Sequence, residues 1–323
     1  MERKKLIWIF FIILVTVSFL LIFGYKNEIP INQDEDAQTT TLLFVGDIML
    51  SREIEKIVYK EQDPLYHFLR TAGLTQSTDI SFANLEGSVS VRGVNQGSEY
   101  SFRTHPDLLK GLAYAGFDIV SVANNHIFDW GPLAFEDTLM YLKQNAVLPV
   151  GGGENYNEAH KPVKIEKNGE TFCFLAYSQF APEYISNKGS SPTVARLVEG
   201  DIKDDLMQSG NNGCGFITVS LHWGNEYEAH PTVDQREIAH VIIDSGANLI
   251  IGHHPHVVQD VEEYKDGVIA YSLGNFIFDQ NFSPETREGL IFKVNVRGGS
   301  VESFEKIKIH FTDTFQPFVS DSQ

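Results

Sequence analysis

Short apolar runs rich in Val, Ile and Phe recur along this chain, and most of them end on the same kinds of residue: carboxylates, amides and imidazoles. Thr41–Val45 leads into Gly46-Asp47, Asp79–Ala83 into Asn84-Leu85-Glu86, and Asp118–Ala123 into Asn124-Asn125-His126. Phe216–Leu221 leads into His222-Trp223-Gly224, and Asn248–Ile251 into Gly252-His253-His254-Pro255-His256. Runs of that length and β-branched content predict buried strands. Between them, Pro106–Ala115, Leu133–Asn145 and Val233–Ser245 carry helical patterns, and a further helix is expected to begin near Ser51. Strands alternating with helices imply an α/β fold with a largely parallel sheet covered on both faces. In such sheets ligands bind outside the carboxyl ends of the strands, so five polar turns converge on one crevice.

From about Pro162 the pattern adds hairpins. Val163–Ile165 and Thr171–Tyr177 flank Lys167-Asn168-Gly169-Glu170, while Val257–Tyr264 and Val268–Leu273 flank Lys265-Asp266-Gly267. Asn-Gly and Asp-Gly supply the positive φ that tight hairpin turns require. Leu290–Val296 and Val301–Phe311, joined through Gly298-Gly299, predict a closing antiparallel pair. Residues 41–311 therefore read as one large domain, followed by a polar tail, 312–323, expected to fray.

Ahead of this domain, Leu6–Phe23 is an uncharged run of 18 residues. As a helix it reaches about 27 Å, against roughly 30 Å of bilayer hydrocarbon. Arg3, Lys4 and Lys5 precede it, and the positive-inside rule then exports everything after Gly24. The run ends Leu21-Ile22-Phe23-Gly24-Tyr25 without a small-residue cleavage site, which favours an uncleaved anchor over a signal peptide. Residues 1–24 are thus read as cytoplasmic tip and transmembrane helix, and 25–40 as a flexible linker. The expected location is the cell membrane, single-pass, with the C-terminal domain extracellular. Cys173 and Cys214, the two cysteines of the chain, stand in or near apolar strands. Buried thiols and an exported disulfide are both compatible with that placement, and free thiols are the expectation.

The formal net charge of −18 excludes a general nucleic-acid binder, whose affinity comes from clustered Lys and Arg. A polyanionic partner would need a local positive centre. Six of the eleven histidines fall between His222 and His256. Three imidazoles in the four residues 253–256 are costly to bury without partners, and a metal ion supplies them. Asp, Glu, Asn and His together suit divalent Mn, Zn or Fe, and the lack of nearby cysteine argues against a structural zinc finger. Asp47 at a strand end is also a residue type that caps helices, and Gly46 before it is expected to let the backbone bend. Arg52, just beyond, has the chemistry to clamp a phosphate or carboxylate. His67, His105, His160, His230, His240 and His310 lack such context and are expected at surface or core positions.

Five ordered motifs carry a resemblance: Phe44-Val45-Gly46-Asp47-Ile48-Met49-Leu50-Ser51-Arg52, Ala123-Asn124-Asn125-His126 with Asp129 and Gly131, His222-Trp223-Gly224 with Glu226 and Tyr227, Gly252-His253-His254-Pro255-His256-Val257, and Tyr271-Ser272-Leu273-Gly274-Asn275-Phe276 with Phe278 and Asp279. Over about Thr41 to Phe311 the chain resembles the CapA-type capsule or poly-gamma-glutamate synthesis proteins, a membrane-anchored branch of the calcineurin-like metallophosphatases. The resemblance implies a four-layer α-β-β-α sandwich holding one or two divalent metals. It implies Asp47 and His256 at the first metal, Glu86 in the bridging position, and Asn125, His222 and His254 at the second, with His253 as the alternative ligand. His126 takes the place of the proton donor or transition-state stabiliser, oriented by Asp129, with Arg52 beside it. Met49 departs from the superfamily's usual Asp-x-His, and Glu86 replaces an expected Asp. The implied function is capsular poly-gamma-glutamate synthesis or export with a metal-dependent phosphoesterase-like site. The alternative is a non-catalytic assembly or polymer-handling subunit. Implied partners are capsule polymer synthetase subunits, the membrane, and an anionic polymer or phosphoester substrate.

Overall fold

The computed structural model describes residues 38–180, 189 and 191–319. The expected anchor at 6–23 and most of the linker lie outside the described residues. Among those described, no helix is long and apolar enough to cross a membrane.

Two sheets organise the domain. The first contains β1 (Thr40–Ile48), β2 (Ile80–Leu85), β3 (Ile119–Ser121) and β4 (Leu148–Val150), all parallel to one another. The second contains β5 (Val163–Lys167), β6 (Glu170–Ser178), β7 (Phe216–His222), β8 (Leu249–His253), β9 (Val261–Tyr264) and β10 (Gly267–Ala270). Their spatial order is β9-β10-β8-β7-β6-β5, with β6, β7, β8 and β10 parallel. The first sheet is then completed by β11 (Asn275–Ile277), β12 (Glu288–Arg297), β13 (Ser300–Phe311) and β14 (Pro317–Val319). β12 pairs antiparallel with β1 and β11 parallel with it. The main helices are α1 (Arg52–Glu61), α2 (Leu109–Tyr114), α3 (Pro132–Gln144), α4 (Glu199–Asn211) and α5 (Val233–Asp244).

Strand periodicity explains the layering, because successive side chains point to opposite faces. On β6, Phe172, Phe174 and Ala176 join the larger apolar cluster, which also holds Phe44 and Phe82 of the first sheet. Phe82 stacks on Phe174 at 5.9 Å and Phe44 lies 5.7 Å from Phe82, so these rings fill the space between the sheets. The alternate residues Cys173, Leu175 and Tyr177 pack instead with Ile202 and Leu206 of α4 and Ala239 and Ile242 of α5. Ile54 of α1, Leu112 of α2 and Phe135 of α3 are buried in the larger cluster. The result is an α/β sandwich with helices against its sheets.

The hairpin at Asn168-Gly169 forms as expected, both residues having positive φ (51° and 80°). Three expectations are corrected. Pro106–Ala115 divides into a 3₁₀ turn, Pro106–Leu108, followed by α2. The tail is not frayed throughout, because Pro317–Val319 pairs with Ile309–Phe311 and extends the sheet. Cys173 and Cys214 are not free thiols but form a disulfide. The reason is topological: the chain leaving α4 enters β7 alongside β6, with Ile217 opposite Cys173, and this brings the two Cα atoms to 5.7 Å.

Candidate metal centre

The parallel strands place their terminal residues in register. Asp47, next to last in β1, stands opposite Asn84 of β2 and Asn275 of β11, and His222 ends β7 opposite His253 of β8. Gly46 and Gly252 permit this by close approach rather than by a bend. A Cβ at Gly46 would lie 2.0 Å from the Gly274 carbonyl oxygen, and one at Gly252 would lie 1.9 Å from that of Tyr271. The two sheets meet here, as the His254 backbone N–H donates to Asp47 Oδ2 at 3.2 Å. His254 and His256 both adopt positive φ, 96° and 59°. Such backbone is costly for a side chain with a Cβ and persists only where the surroundings fix it.

Asp47, Glu86, His222, His253, His254 and His256 are all buried. One oxygen of Asp47, one of Glu86 and a His222 nitrogen lie within 4.8 Å of one another. His253 Nδ1 is 3.3 Å and His256 Nδ1 3.4 Å from Asp47, and His256 Nε2 is 3.9 Å from Glu86. Asn125 Oδ1 lies 2.9 Å from His222 Nε2. The predicted donors thus come together from five separate stretches of chain.

Three of them are not satisfied by protein. Both Glu86 oxygens, both His253 ring nitrogens and His254 Nδ1 are buried without hydrogen-bond partners. Buried polar groups are normally paired, so this concentration calls for a ligand. Burial pushes the Glu86 carboxyl up to about 7, with the His256 imidazole opposing and Asp47 reinforcing the shift. Burial, aided by the His256 charge, lowers His254 to about 3, and burial with His254 nearby holds His222 well below the ordinary histidine value. Burial also opposes ionisation of Asp47, but its contacts with His253 and His256 win and keep the carboxyl well below the usual range. An ionised carboxylate, a frustrated second one and the depressed imidazoles of His222 and His254 are donors that fit a divalent cation. His256, which burial would lower but Glu86 and Asp47 raise to about 9, must give up its proton to join them.

A family model described as "Bacterial capsule synthesis protein PGA_cap" matches residues 41–280. The chain belongs to this family. It is 30% identical to the PGA biosynthesis protein CapA of Bacillus subtilis (strain 168) over 309 residues, covering 92% of this chain and 80% of that one. It is 28% identical to the capsule biosynthesis protein CapA of Bacillus anthracis, covering 88% and 70%. Among solved structures, it resembles a hypothetical protein from Thermus thermophilus (TM-score 0.54, 15% identity, 83% of this chain and 98% of that one). It also resembles a putative 5'-nucleotidase from Staphylococcus aureus (TM-score 0.54, 19% identity, 88% and 55%). At these identities the likeness is one of fold, a two-sheet α/β sandwich.

In this PGA_cap domain the histidine motif behaves as a cluster rather than a simple pair. His253, whose sequence context left it the alternative, is fully buried beside Asp47, whereas Met49 contributes nothing to the crevice. The Met49 sulfur instead accepts from the Ser51 amide at 3.2 Å and hydroxyl at 3.0 Å. His126 sits at the edge, with Nε2 3.8 Å from Glu86 and Nδ1 2.7 Å from Asp129. Asp129 also accepts from the Phe102 amide and the Ser98 hydroxyl, and the Phe102 ring lies 4.1 Å from the His126 ring. Burial alone would lower the His126 pKa, but the Asp129 hydrogen bond and the Glu86 charge raise it above the ordinary value. Arg52 is outside the buried group: its Nε pairs with Asp279 at 3.1 Å and its guanidinium lies 5.5 Å from the Phe102 ring centroid.

Two positioning residues escaped the sequence reading. Asn84 Nδ2 donates to Asp47 at 2.8 Å and lies 3.4 Å from His222 Nδ1, and Asn275 Oδ1 is 3.0 Å from His256 Nδ1. Asn84 stands two residues before Glu86 at a strand end, so the two share a face. That spacing is the signal for it. Asn275 had only its place in the Leu273-Gly274-Asn275-Phe276 motif.

Proposed function

We propose that this chain acts in capsular poly-gamma-glutamate synthesis or export through a metal-dependent phosphoesterase-like centre. One observation carries the reading: Glu86 is buried with both carboxylate oxygens unpartnered, against Asp47 and His222. The names of the Bacillus relatives supply the biological setting. Asp47, Glu86, Asn125, His222, His254 and His256 would hold one or two divalent ions of the Mn, Zn or Fe kind, with His253 available beside Asp47. When bound, such ions supply Lewis-acid stabilisation of charge developing on phosphoryl oxygens.

The protein's own groups do the rest. Asp129 fixes His126 through Nδ1, and its hydrogen bond, together with the Glu86 charge, raises the imidazole pKa against burial, with Nε2 facing Glu86 as donor to a leaving oxygen. Arg52 binds anionic oxygens at the rim while Asp279 holds its Nε. Anchoring by residues 6–23, with the domain outside the cell and synthetase subunits as partners, belongs to the same proposal. The Cys173–Cys214 disulfide supports it, since disulfides persist in oxidising compartments.

The test is turnover of an activated aryl phosphodiester by the full-length chain after metal stripping and reloading with manganese. His126→Ala should abolish turnover while metal content, read by elemental analysis, is unchanged. A wild-type chain that binds no metal under these conditions would overturn the reading. Met49 favours a second reading, because its sulfur serves Ser51 and removes a donor from the first position. A non-catalytic assembly subunit would retain metal, hydrolyse nothing, and still lower polymer output when its anchor is deleted.

A further inference from the structure

A second opening lies apart from the polar crevice. A cavity of about 1050 Å³ lies at the edge of the sandwich, lined by residues of β4 and β5, the terminal strands of the two sheets, and by α3 and α4. Lys143, Lys161 and Lys164 line it. In a chain of net charge −18 this is a local reversal of sign. Lys164 Nζ donates to the Asn212 carbonyl at 2.8 Å, and Lys143 and Lys161 form no ion pair with any described residue.

Two acids line the cavity against these three lysines, and both accept hydrogen bonds from the protein. Asp205 accepts from His160 Nδ1 at 2.6 Å and from the Tyr177 hydroxyl at 2.9 Å, while His160 stacks on Tyr156 with ring centroids 4.0 Å apart. The carboxylate is therefore committed to the cavity wall. Glu158, the other acid, lies at the rim, where its Oε2 accepts from the Glu154 amide at 3.2 Å. One lining group is left over: Ser209 is 1% exposed, and its Oγ is buried without a hydrogen-bond partner. A hydroxyl in that state is a donor awaiting an acceptor.

We propose that this edge cavity is a second binding site, separate from the metal centre, which takes the carboxylates of a polyglutamate chain. The choice of polymer rests on the capsule reading above, whereas the lysines and the orphaned hydroxyl do not. Its volume matches that of pockets that enclose organic ligands. Lysine ammonium groups on flexible stems suit a repeating carboxylate chain, which offers point charges at varying spacing rather than one fixed anion. A strongly acidic protein thereby holds an acidic polymer at one place while repelling it elsewhere.

The experiment is binding of fluorescently labelled poly-gamma-glutamate to the full-length chain across a salt series. The variant Lys143→Gln/Lys161→Gln/Lys164→Gln should weaken binding about tenfold at low salt and flatten its salt dependence. The matched control replaces Lys56, Lys110 and Lys308 by Gln; each is ion-paired elsewhere, and the change should stay within about twofold. Wild-type binding by the cavity variant, an equal loss in the control, or no binding by the wild type overturns the site. Binding lost in Glu86→Gln but kept in the lysine variant also overturns it and moves the polymer to the metal centre. A chain that binds no metal yet binds polymer through these lysines defeats the functional reading alone and leaves this site standing.

Discussion

The crevice at the strand ends and the His160–Asp205–Tyr177 cluster beneath the edge cavity are built from the same kinds of side chain, yet their bonding is opposite. In the cluster, a single carboxylate oxygen meets an imidazole nitrogen and a phenol hydroxyl at hydrogen-bond distance. In the crevice, Glu86, His253 and His254 leave five buried polar atoms with no partner. A satisfied network needs no ligand to account for it, whereas an unsatisfied one does. The same comparison separates the histidines that the sequence could only count. His160 is a structural residue above a committed acid, and His253 and His254 of the crevice are held open.

The comparison breaks most visibly through metal. Asp47→Ala should reduce bound divalent ion to background by elemental analysis, while Asp205→Ala leaves it unchanged; equal metal content in both variants would erase the distinction. Next comes the disulfide, which ties the end of α4, bearing Asp205, to β6, bearing Tyr177. Cys173→Ala/Cys214→Ala removes a cross-link spanning a sequence separation of 41 and should cost about 4 kcal/mol in urea unfolding. Metal content of the folded fraction should not change, because no crevice residue depends on the bridge.

His67 sharpens the contrast through pH. It is buried beneath α1, with Nε2 3.2 Å from the Ile54 carbonyl oxygen. Burial lowers its pKa to about 4, partly offset by backbone hydrogen bonding. The unfolded chain therefore takes up a proton near pH 6.5 that the folded chain refuses until about pH 4. Stability is full above the first value and falls as pH drops through the second, by about 3 kcal/mol. His67→Phe should remove that part of the acid sensitivity, and denaturant midpoints measured between about pH 7.5 and 4 would read it. The smallest effect expected is that of Asp205→Ala itself. It strands one imidazole and one phenol and should cost about 2 kcal/mol by the same unfolding assay.

Much of this was legible in order along the chain. Val45-Gly46-Asp47, Asn84-Leu85-Glu86 and Asn124-Asn125-His126 announce polar residues at strand ends, and the sheet registers bring Asp47, Asn84 and Ser121 side by side. Asn84 was passed over because an amide next to a carboxylate reads as turn chemistry until the partner strand shows what it touches. His253 was ambiguous for a related reason: in His253-His254-Pro255-His256, spacing cannot say which rings turn inward when two of the four residues adopt positive φ. The disulfide was misjudged because Cys173 and Cys214 are distant in sequence, and only the parallel pairing of β6 with β7 sets their separation.

Local chemistry alone determined the α/β alternation, the polar strand ends, the hairpin at Asn168-Gly169 and the family, since each depends on residues close together in the chain. Packing decided the rest. Whether an imidazole is a wall or a ligand depends on whether another element brings it a partner, and that requires segments as far apart as Asp47 and His254 to meet. Hydrogen bonds are short-ranged and directional, so no pattern along one strand reveals which of its polar atoms will be left without one.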